Sequence, residues 1–259
     1  MITAGIDSGV KTVKAVIVKD NGIIASGIAP ANGFERAQAA EQLWLKVLEQ
    51  AGLSVADVDM VIATGMGRTN VSFAKDFVVE AVADIKAAHF LFPSARTVID
   101  AGAEQVRVIR FDKDGKMVNY VLNQQCGAEL GTYLEAFARM LDATPEGISK
   151  LALGSKKNVS ISGECAVFAG MDVVSLIHKN AAKADIAQAI LDAVANKIAA
   201  TANLTSIGKP VALIGGVACN TGVVEALKRR MDADFLIPEE PQMAGALGAA
   251  LVAASVELV

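Results

Sequence analysis

Hydrophobic and polar residues alternate in the same way along two separate stretches of the chain. The stretch IDSGVKTVKAVIVKDNG covers residues 6–22 and IDAGAEQVRVIRFDKDG covers residues 99–115, so matching positions lie 93 residues apart. Each stretch predicts a strand, a tight Asp-x-Gly turn, an alternating strand and then an Asn-Gly or Asp-Gly hairpin turn. Because identical or similar residues recur in register, we predict that a subdomain has been duplicated.

Apolar residues recur at helical spacing between and after these two stretches. The spacing predicts helices over residues 34–52, 184–204 and 222–231, and strands over residues 58–65 and 210–218. Strands that alternate with helices are typical of an α/β fold. Two copies that each begin with a hairpin predict two α/β lobes around a cleft.

The composition argues against several classes of protein. The 259 residues, 53% of them hydrophobic, suffice for a substantial core without disulfides or a structural metal. A net charge of -4 without long Lys/Arg blocks argues against nucleic acid or an anionic membrane as partner. The uncharged stretch PQMAGALGAALVAASV falls short of a membrane span and predicts a buried helix. With no signal-peptide pattern and three widely spaced cysteines, we expect a cytoplasmic protein with reduced thiols.

Glycine turns that follow predicted strands suggest a nucleotide site. An Asp-x-Gly turn presents backbone N–H groups to an anion, and the carboxylate of Asp7 or Asp100 can hold Mg²⁺ or orient a water. Gly215 and Gly216 follow an apolar strand, where two glycines let a flat ring approach the backbone. We therefore expect the two Asp-x-Gly turns to bind the β- and γ-phosphates from both sides of the cleft.

Two of the three cysteines lie where a predicted strand runs into a predicted helix. Cys126 precedes the amphipathic stretch GAELGTYLEAFARML, and Cys165 precedes AVFAGMDVVSLIHK. The N–H groups and the dipole of a helix N-terminus lower a thiol pKa and stabilise a thiolate–metal centre. The residues alone leave two interpretations open, because small apolar core thiols are the commonest fate of free cysteines. Cys219, in the Gly-Gly turn, we interpret as a packing residue.

The order of these features resembles that of the actin/hexokinase/heat-shock-chaperone ATPase superfamily. More narrowly, the whole chain resembles the BadF/BadG/BcrA/BcrD-type ATPases, which are activators of 2-hydroxyacyl-CoA dehydratases and ATPase subunits of benzoyl-CoA reductases. The motifs behind this resemblance are GIDSGVKTVKAVIV, ATGMGR, VIDAGAEQVRVI, NQQCGAELG, ISGECAVFA, GGVACNTG and GALGAAL. The resemblance implies two actin-like (ribonuclease H-like) lobes. The first comprises residues 1–95 and a closing helix at 243–259, and the second comprises residues 96–242 with the cysteines and the adenosine motif.

The resemblance also implies a function, which is ATP-driven electron transfer. A single [4Fe–4S] cluster would bridge two subunits, which form a homodimer or a heterodimer with a homologous ATPase subunit, since two thiolates per chain cannot complete a Cys₄ shell. The protein would bind ATP or ADP with Mg²⁺ and accept electrons from a ferredoxin or flavodoxin. It would pass them at low potential to a CoA-thioester reductase or dehydratase component.

The family's functional positions can be assigned residue by residue. We expect catalytic roles for Asp7, Asp100 and Glu104, a Mg²⁺ ligand at Asp7, and cluster ligands at Cys126 and Cys165. The expected nucleotide-binding residues are Gly9, Val10, Lys11, Gly102, Ala103, Gly215, Gly216, Val217, Asn220 and Gly245.

The chain departs from the dehydratase activators at three turns. Val10 and Lys11 replace Ser and Thr, residues 102–105 read Gly-Ala-Glu-Gln rather than Gly-Gly-Gln-Asp, and residues 127–131 read Gly-Ala-Glu-Leu-Gly rather than Ala-Ala-Gly-Thr-Gly. These changes favour the benzoyl-CoA reductase type and leave weak ATP hydrolysis open. The alternatives are a small-molecule kinase of the same superfamily, with Asp100 as base, and a non-catalytic nucleotide-dependent scaffold.

Overall fold

The computed structural model describes residues 1–20, 22–31, 35–123, 130–162 and 165–256. These fall into two compact units. The first unit contains Met1–Ala95, Phe111–Met117 and Gln242–Val259, and the second contains Arg96–Arg110 and Val118–Pro241.

The described part of the chain contains ten strands and eight α-helices. The strands are β1 (Ile2–Ser8), β2 (Thr12–Lys19), β3 (Gly22–Pro30), β4 (Met60–Thr64), β5 (Asp76–Phe77), β6 (Thr97–Ala101), β7 (Val106–Phe111), β8 (Met117–Leu122), β9 (Val211–Ile214) and β10 (Phe235–Leu236). The helices are α1 (Arg36–Ala51), α2 (Glu80–Leu91), α3 (Gly131–Met140), α4 (Pro145–Ala152), α5 (Ala166–His178), α6 (Lys183–Ala202), α7 (Thr221–Met231) and α8 (Ala244–Ala253).

The two units contain sheets of the same topology. One sheet has the order β3-β2-β1-β4-β5, and the other, read from its β8 edge, has the order β8-β7-β6-β9-β10. In each, a central strand pairs antiparallel with the next strand of its hairpin and parallel with a later strand, as β1 does with β2 and β4, and β6 with β7 and β9. The prediction of a duplicated subdomain is therefore confirmed at the level of strand order and direction.

Helices cover both faces of the sheet in the first unit. On one face, Leu43 and Trp44 of α1 pack against Ala4 and Ile6 of β1. On the other face α8 lies so close to β1 that a side chain at Gly5 would overlap the backbone of α8. Small residues in α8 make this approach possible, which confirms the prediction of a buried Gly/Ala-rich helix. The helix ends at Ala253, six residues before the predicted end.

The Ala-rich helix α6 lies at the centre of the second unit. Most of its side chains are buried, as are Tyr133 and Phe137 of α3, whose rings meet edge to face 4.3 Å apart. Helix α5 packs against both helices through Ala169 and Val173. Within the described residues, no helix is both long and apolar enough to cross a membrane.

Candidate functional site

The first Asp-x-Gly turn is a two-residue hairpin loop between β1 and β2. The Gly9 N–H donates to the Thr12 carbonyl oxygen over 3.1 Å, which leaves Val10 and Lys11 at the tip. The strand register sets Lys14 opposite Asp7, and the Lys14 Nζ lies 3.0 Å from the Asp7 Oδ2. Both side chains are mostly buried, so this ion pair is part of the turn's structure rather than a surface contact.

The second turn, between β6 and β7, repeats this geometry. The Gly102 N–H donates to the Gln105 carbonyl oxygen over 2.9 Å, and Ala103 and Glu104 form the tip. Arg107 lies opposite Asp100 and forms an ion pair with it, again with both side chains mostly buried. Sequence reasoning missed both ion pairs.

Alignment of the two repeated stretches could have predicted these ion pairs. The basic residue stands seven positions after the aspartate in each copy. A strand-turn-strand unit with a two-residue loop brings these two positions opposite one another.

A glycine follows the parallel neighbour strand in both units. Gly65, after β4, has a φ of 89°, and Gly215, after β9, has a φ of 92°. A Cβ atom on Gly65 would overlap the Asp7 Oδ1, and one on Gly215 would overlap the Asp100 Oδ1. Both glycines are therefore required by their backbone conformation and by the carboxylate beside them.

The surroundings of Asp7 suit a hydrated Mg²⁺. Gly245, at the start of α8, lets the helix N-terminus approach, since a Cβ there would lie 3.3 Å from the Asp7 Oδ2. Thr64 is the register partner of Asp7 on β4, and its buried hydroxyl has no hydrogen-bond partner within the described residues. Mg²⁺ usually takes one or two carboxylates and fills its other positions with water and phosphate. In the part of the chain that the structure describes, no group of three or more His, Cys, Asp or Glu residues forms a larger metal site.

The predicted adenosine turn holds residues with different roles. Gly216 is exposed, and a Cβ there would contact nothing, so this position is open to a ligand. Val217 is buried in the core of the second unit. The Asn220 side chain caps α7 by accepting from the Val223 N–H over 3.0 Å, and its amide donates to the Pro145 carbonyl oxygen over 2.7 Å. Nucleotide binding by Asn220 stays a prediction beside this capping role.

The N-terminus of α3 is joined to the second turn. The Thr132 N–H donates to the Ala103 carbonyl oxygen over 3.0 Å, and the Gly131 N–H donates to that of Gly102 over 3.4 Å. A Cβ on Gly131 would lie 3.0 Å from the Ala103 Cα and 3.6 Å from a methyl group of Val217. The second Asp-x-Gly turn, the predicted adenosine turn and the N-terminus of α3 therefore meet at Gly131.

Cys165 lies at the N-cap of the 13-residue helix α5. Hydrogen bonds from the N–H groups of Phe168 and Val167 lower the pKa of its thiol, and the positive charge of Lys197 lowers it further. This donor set suits a thiolate ligand of an iron–sulfur cluster. Cys126 lies outside the described residues, together with residues 127–129 of the altered stretch that follows it. Cys219 is exposed, so its interpretation as a packing residue is wrong.

Arg68, in the ATGMGR motif, supports its own turn. Its Nη1 donates to the Gly65 carbonyl oxygen over 3.1 Å and lies 3.7 Å from the Glu80 Oε2. The arginine therefore helps to hold the glycine that contacts Asp7.

A duplicated α/β unit with an Asp-containing hairpin in each copy is an actin-like fold. The chain belongs to the BadF/BadG/BcrA/BcrD ATPase family, whose sequence profile matches residues 4–253. A solved hexokinase of Thermus thermophilus, with a TM-score of 0.52 and 14% identity, shares the fold alone.

Relatives of two kinds match along almost their whole length. The (R)-2-hydroxyglutaryl-CoA dehydratase activating ATPase of Acidaminococcus fermentans is 35% identical over 97% of this chain and 96% of its own. The 2-hydroxyisocaproyl-CoA dehydratase activator of Clostridioides difficile is 32% identical over 98% of this chain and 95% of its own. A benzoyl-CoA reductase subunit of Thauera aromatica is 32% identical over 96% of this chain and 92% of its own. The sequence identities are too similar to tell whether the chain is closer to the dehydratase activators or to the benzoyl-CoA reductase subunit.

Two solved structures match in fold over nearly every residue. Component A of the A. fermentans dehydratase has a TM-score of 0.93 at 34% identity, covering 98% of each chain. The C. difficile activator, solved with bound ADPNP, has a TM-score of 0.91 at 30% identity, covering 100% of this chain and 99% of its own.

Proposed function

We propose that this protein uses ATP to deliver low-potential electrons to a CoA-thioester dehydratase or reductase. The names of its relatives support the partner class, and the ADPNP-bound relative supports nucleotide binding. The observation that supports electron transfer most directly is the Cys165 thiol at the N-cap of α5, whose pKa the backbone N–H groups of Phe168 and Val167 lower. The kinase and scaffold alternatives do not require such a thiolate.

The two hairpin turns would bind the phosphates of the nucleotide. Backbone N–H groups at the tips offer donors to an anion without a steric barrier at the flanking glycines. Asp7 would hold Mg²⁺, with Lys14 released from its ion pair to contact a phosphate oxygen. Asp100 would orient the attacking water, with Glu104 beside it at the turn. The open position at Gly216 would face the adenosine.

Cys126 and Cys165 of each subunit would hold one [4Fe–4S] cluster on the twofold axis of a dimer. When bound, the cluster would supply one-electron chemistry at low potential. The chain's own contribution is electrostatic, because the N–H groups of α5 stabilise the thiolate charge.

Nucleotide state would reach the cysteines through α3. The Gly102 and Ala103 carbonyl oxygens accept from the first two N–H groups of this helix. A phosphate that displaced the turn would therefore displace the N-terminus of α3 and the segment that carries Cys126. ATP binding would in this way change the surroundings of the cluster before an electron leaves.

An exposed apolar face of α5 supports association with another protein. Val167, Phe168 and Met171 are 71%, 62% and 64% exposed and lie in the first two turns of α5, after Cys165. We assign this surface to the subunit or dehydratase partner that would share or receive electrons at the cluster. A cytoplasmic ferredoxin or flavodoxin would be the donor.

The decisive experiment counts iron and acid-labile sulfide per chain in protein purified without oxygen. We expect about four irons per dimer, with the cluster lost in Cys126→Ala and in Cys165→Ala. Cys219→Ala is the matched control and should retain full iron. A folded, ATP-binding protein without iron would overturn the proposal and favour a kinase or a nucleotide-dependent scaffold.

A further inference from the structure

The short helix α4 is hydrogen-bonded to the end of the predicted adenosine turn. At the start of α4, the Pro145 carbonyl oxygen accepts from the Asn220 side-chain amide over 2.7 Å. One turn further along, the Ser149 hydroxyl donates to the Asn220 Oδ1 over 2.7 Å. The Gly222 N–H, in the first turn of α7, donates in return to the Ser149 Oγ over 3.2 Å. Together these hydrogen bonds form a tether between α4 and the segment that follows Gly216.

The Asn220 side chain is almost fully engaged in this tether. It is 6% exposed, and its oxygen also accepts from the Val223 N–H over 3.0 Å, which caps α7. An amide oxygen can accept two hydrogen bonds, so Asn220 has no acceptor capacity left for a ligand. Its backbone N–H donates to the Val217 carbonyl oxygen over 3.0 Å and closes the 3₁₀ turn Gly216–Cys219. Asn220 therefore holds the end of the turn with both its side chain and its backbone.

The sheet holds the other end of the same turn. Gly215 follows β9, which lies between β10 and β6, and its N–H donates to the Pro241 carbonyl oxygen over 2.9 Å. Gly216 lies between the two anchors, and nothing would contact a Cβ placed there. The position of this open residue therefore depends on the sheet at one end of the turn and on α4 at the other.

Packing gives α4 a fixed place beside the turn. A Cβ on Gly222 would lie 2.7 Å from the Ser149 Oγ and 2.7 Å from a methyl group of Leu191, so only glycine allows this approach. Ile148 of α4 is fully buried in the core of the second unit, and the Thr144 side chain caps the start of the helix. The tether therefore ends on a helix that is itself held in place.

We propose that Ser149 and Asn220 are positioning residues that act through the adenosine turn and set the affinity for the adenosine part of ATP. The inference rests on nucleotide binding in the proposed function. Without the tether, the nucleotide would have to order the segment after Gly216 when it binds, and its affinity would fall. The phosphates are assigned to the hairpin turns, so their binding should not depend on the tether.

Two substitutions break the tether by different routes. Asn220→Asp keeps an oxygen that can accept from the Val223 N–H and so cap α7, but it has no N–H to donate to the Pro145 carbonyl oxygen. Ser149→Ala removes the hydroxyl that joins α4 to Asn220 and to the first turn of α7. A residue that served only as a helix cap would tolerate Asn220→Asp, so this variant separates capping from positioning.

Dissociation constants for ATP and for tripolyphosphate, measured by isothermal titration calorimetry at one Mg²⁺ concentration, test the proposal. Asn220→Asp and Ser149→Ala should each raise the Kd for ATP about tenfold. The Kd for tripolyphosphate, which has no adenosine, should stay unchanged. Ser155→Ala is the matched control, because it removes a hydroxyl bond of 3.0 Å to the Asp185 Oδ1 beyond the other end of α4. It should change neither constant.

The outcomes also separate this inference from the proposed function. An unchanged Kd for ATP in both tether variants would overturn the inference. An equal loss of affinity for ATP and tripolyphosphate, or the same loss in Ser155→Ala, would also overturn it, because the second unit would then have loosened as a whole. Parental protein that binds no ATP would overturn the proposed function and the inference together. Parental protein that binds ATP without iron would overturn electron transfer alone, and the two affinities would still decide the role of the tether.

Discussion

The two units share one framework and differ in what packs against it. Each has an aspartate at the end of its central strand, a basic partner seven residues later, and a positive-φ glycine against the carboxylate. In the first unit the carboxylate also meets the N-terminus of α8 at Gly245. In the second unit the hairpin turn is hydrogen-bonded to the N-terminus of α3.

This difference suggests how the two copies of a duplicated unit acquire different functions. The first unit surrounds its carboxylate with a helix N-terminus and a spare hydroxyl, an arrangement that suits metal and phosphate. The second unit contains all three cysteines of the chain and links its turn to one of the helices beside them. We infer that the framework common to both units binds the nucleotide. The contacts between α3 and the hairpin turn, found in the second unit, would then transmit the nucleotide state to the cysteines.

The largest expected effect comes from the shared glycines. Gly215→Ala should lower the free energy of unfolding by roughly 3 kcal/mol, because a side chain is strained at its φ of 92° and ψ of 169° and overlaps Asp100. Gly65→Ala should cost a similar amount, since its φ is 89° and its Cβ would lie 2.5 Å from the Asp7 Oδ1. Urea denaturation of both variants measures the costs.

Gly216→Ala is the matched control for this prediction. Its Cβ would contact nothing, so the free energy of unfolding should change by less than about 1 kcal/mol. A tolerated Gly215→Ala beside a costly Gly65→Ala would show that the two frameworks are not equivalent.

The second prediction concerns the two aspartates. Asp7→Asn and Asp100→Asn should each lower kcat for ATP hydrolysis by about 100-fold, measured by phosphate release. Because we assign Mg²⁺ to Asp7, only Asp7→Asn should raise the Mg²⁺ concentration needed for half-maximal activity. Asp192→Asn, which alters an exposed pair with Arg229, should leave both quantities unchanged. Equal Mg²⁺ requirements in the two aspartate variants would contradict the assignment.

Much of the framework could be predicted from the sequence, because it depends on local patterns. The duplicated hairpins, the helices α1, α6 and α7 and the buried α8 follow from periodicity and glycine turns. Helices α2 and α4 were not predicted. The first has little amphipathic contrast, and the second is only eight residues long.

The features of the candidate site that the sequence did not predict depend on contacts between residues far apart in the chain. The pairing of Asp7 with Lys14 needs the strand register, and the position of Thr64 beside Asp7 needs the parallel pairing of β1 with β4. The bonds from α3 to the second turn join residues almost thirty positions apart, and no local pattern indicates them.

The third prediction tests the cysteine that distinguishes the second unit. In the Cys126→Ser/Cys219→Ser variant without cluster, the native Cys165 thiol should titrate below its ordinary pKa of 9.0, and should return to that range in urea. Rates of alkylation by iodoacetamide against pH measure both values. At pH 7.5 native Cys165 should therefore hold more thiolate, and react faster, than the unfolded chain.

The same shift has a consequence for stability. Since the folded pKa is the lower one, the contribution of the thiolate is complete above pH 9.0 and is lost as the pH falls through the folded pKa. A Cys165→Ala variant should show no such dependence between neutral and alkaline pH. Identical alkylation profiles in native and unfolded protein would contradict the placement of this thiol at the N-terminus of α5.

The smallest expected effect concerns the contact between the N-terminus of α3 and the second hairpin turn, which we infer to transmit the nucleotide state. Gly170→Ala, inside α5, should raise the free energy of unfolding by roughly 0.5–1 kcal/mol, because alanine favours a helix and the new Cβ meets Phe137 at an ordinary 3.9 Å. Gly131→Ala should leave the free energy of unfolding unchanged or lower it by about 1 kcal/mol, since its Cβ would lie 3.0 Å from the Ala103 backbone. A gain for Gly131→Ala equal to that for Gly170→Ala would mean that α3 can separate from the turn freely. The second unit would then need another route from nucleotide to cysteine.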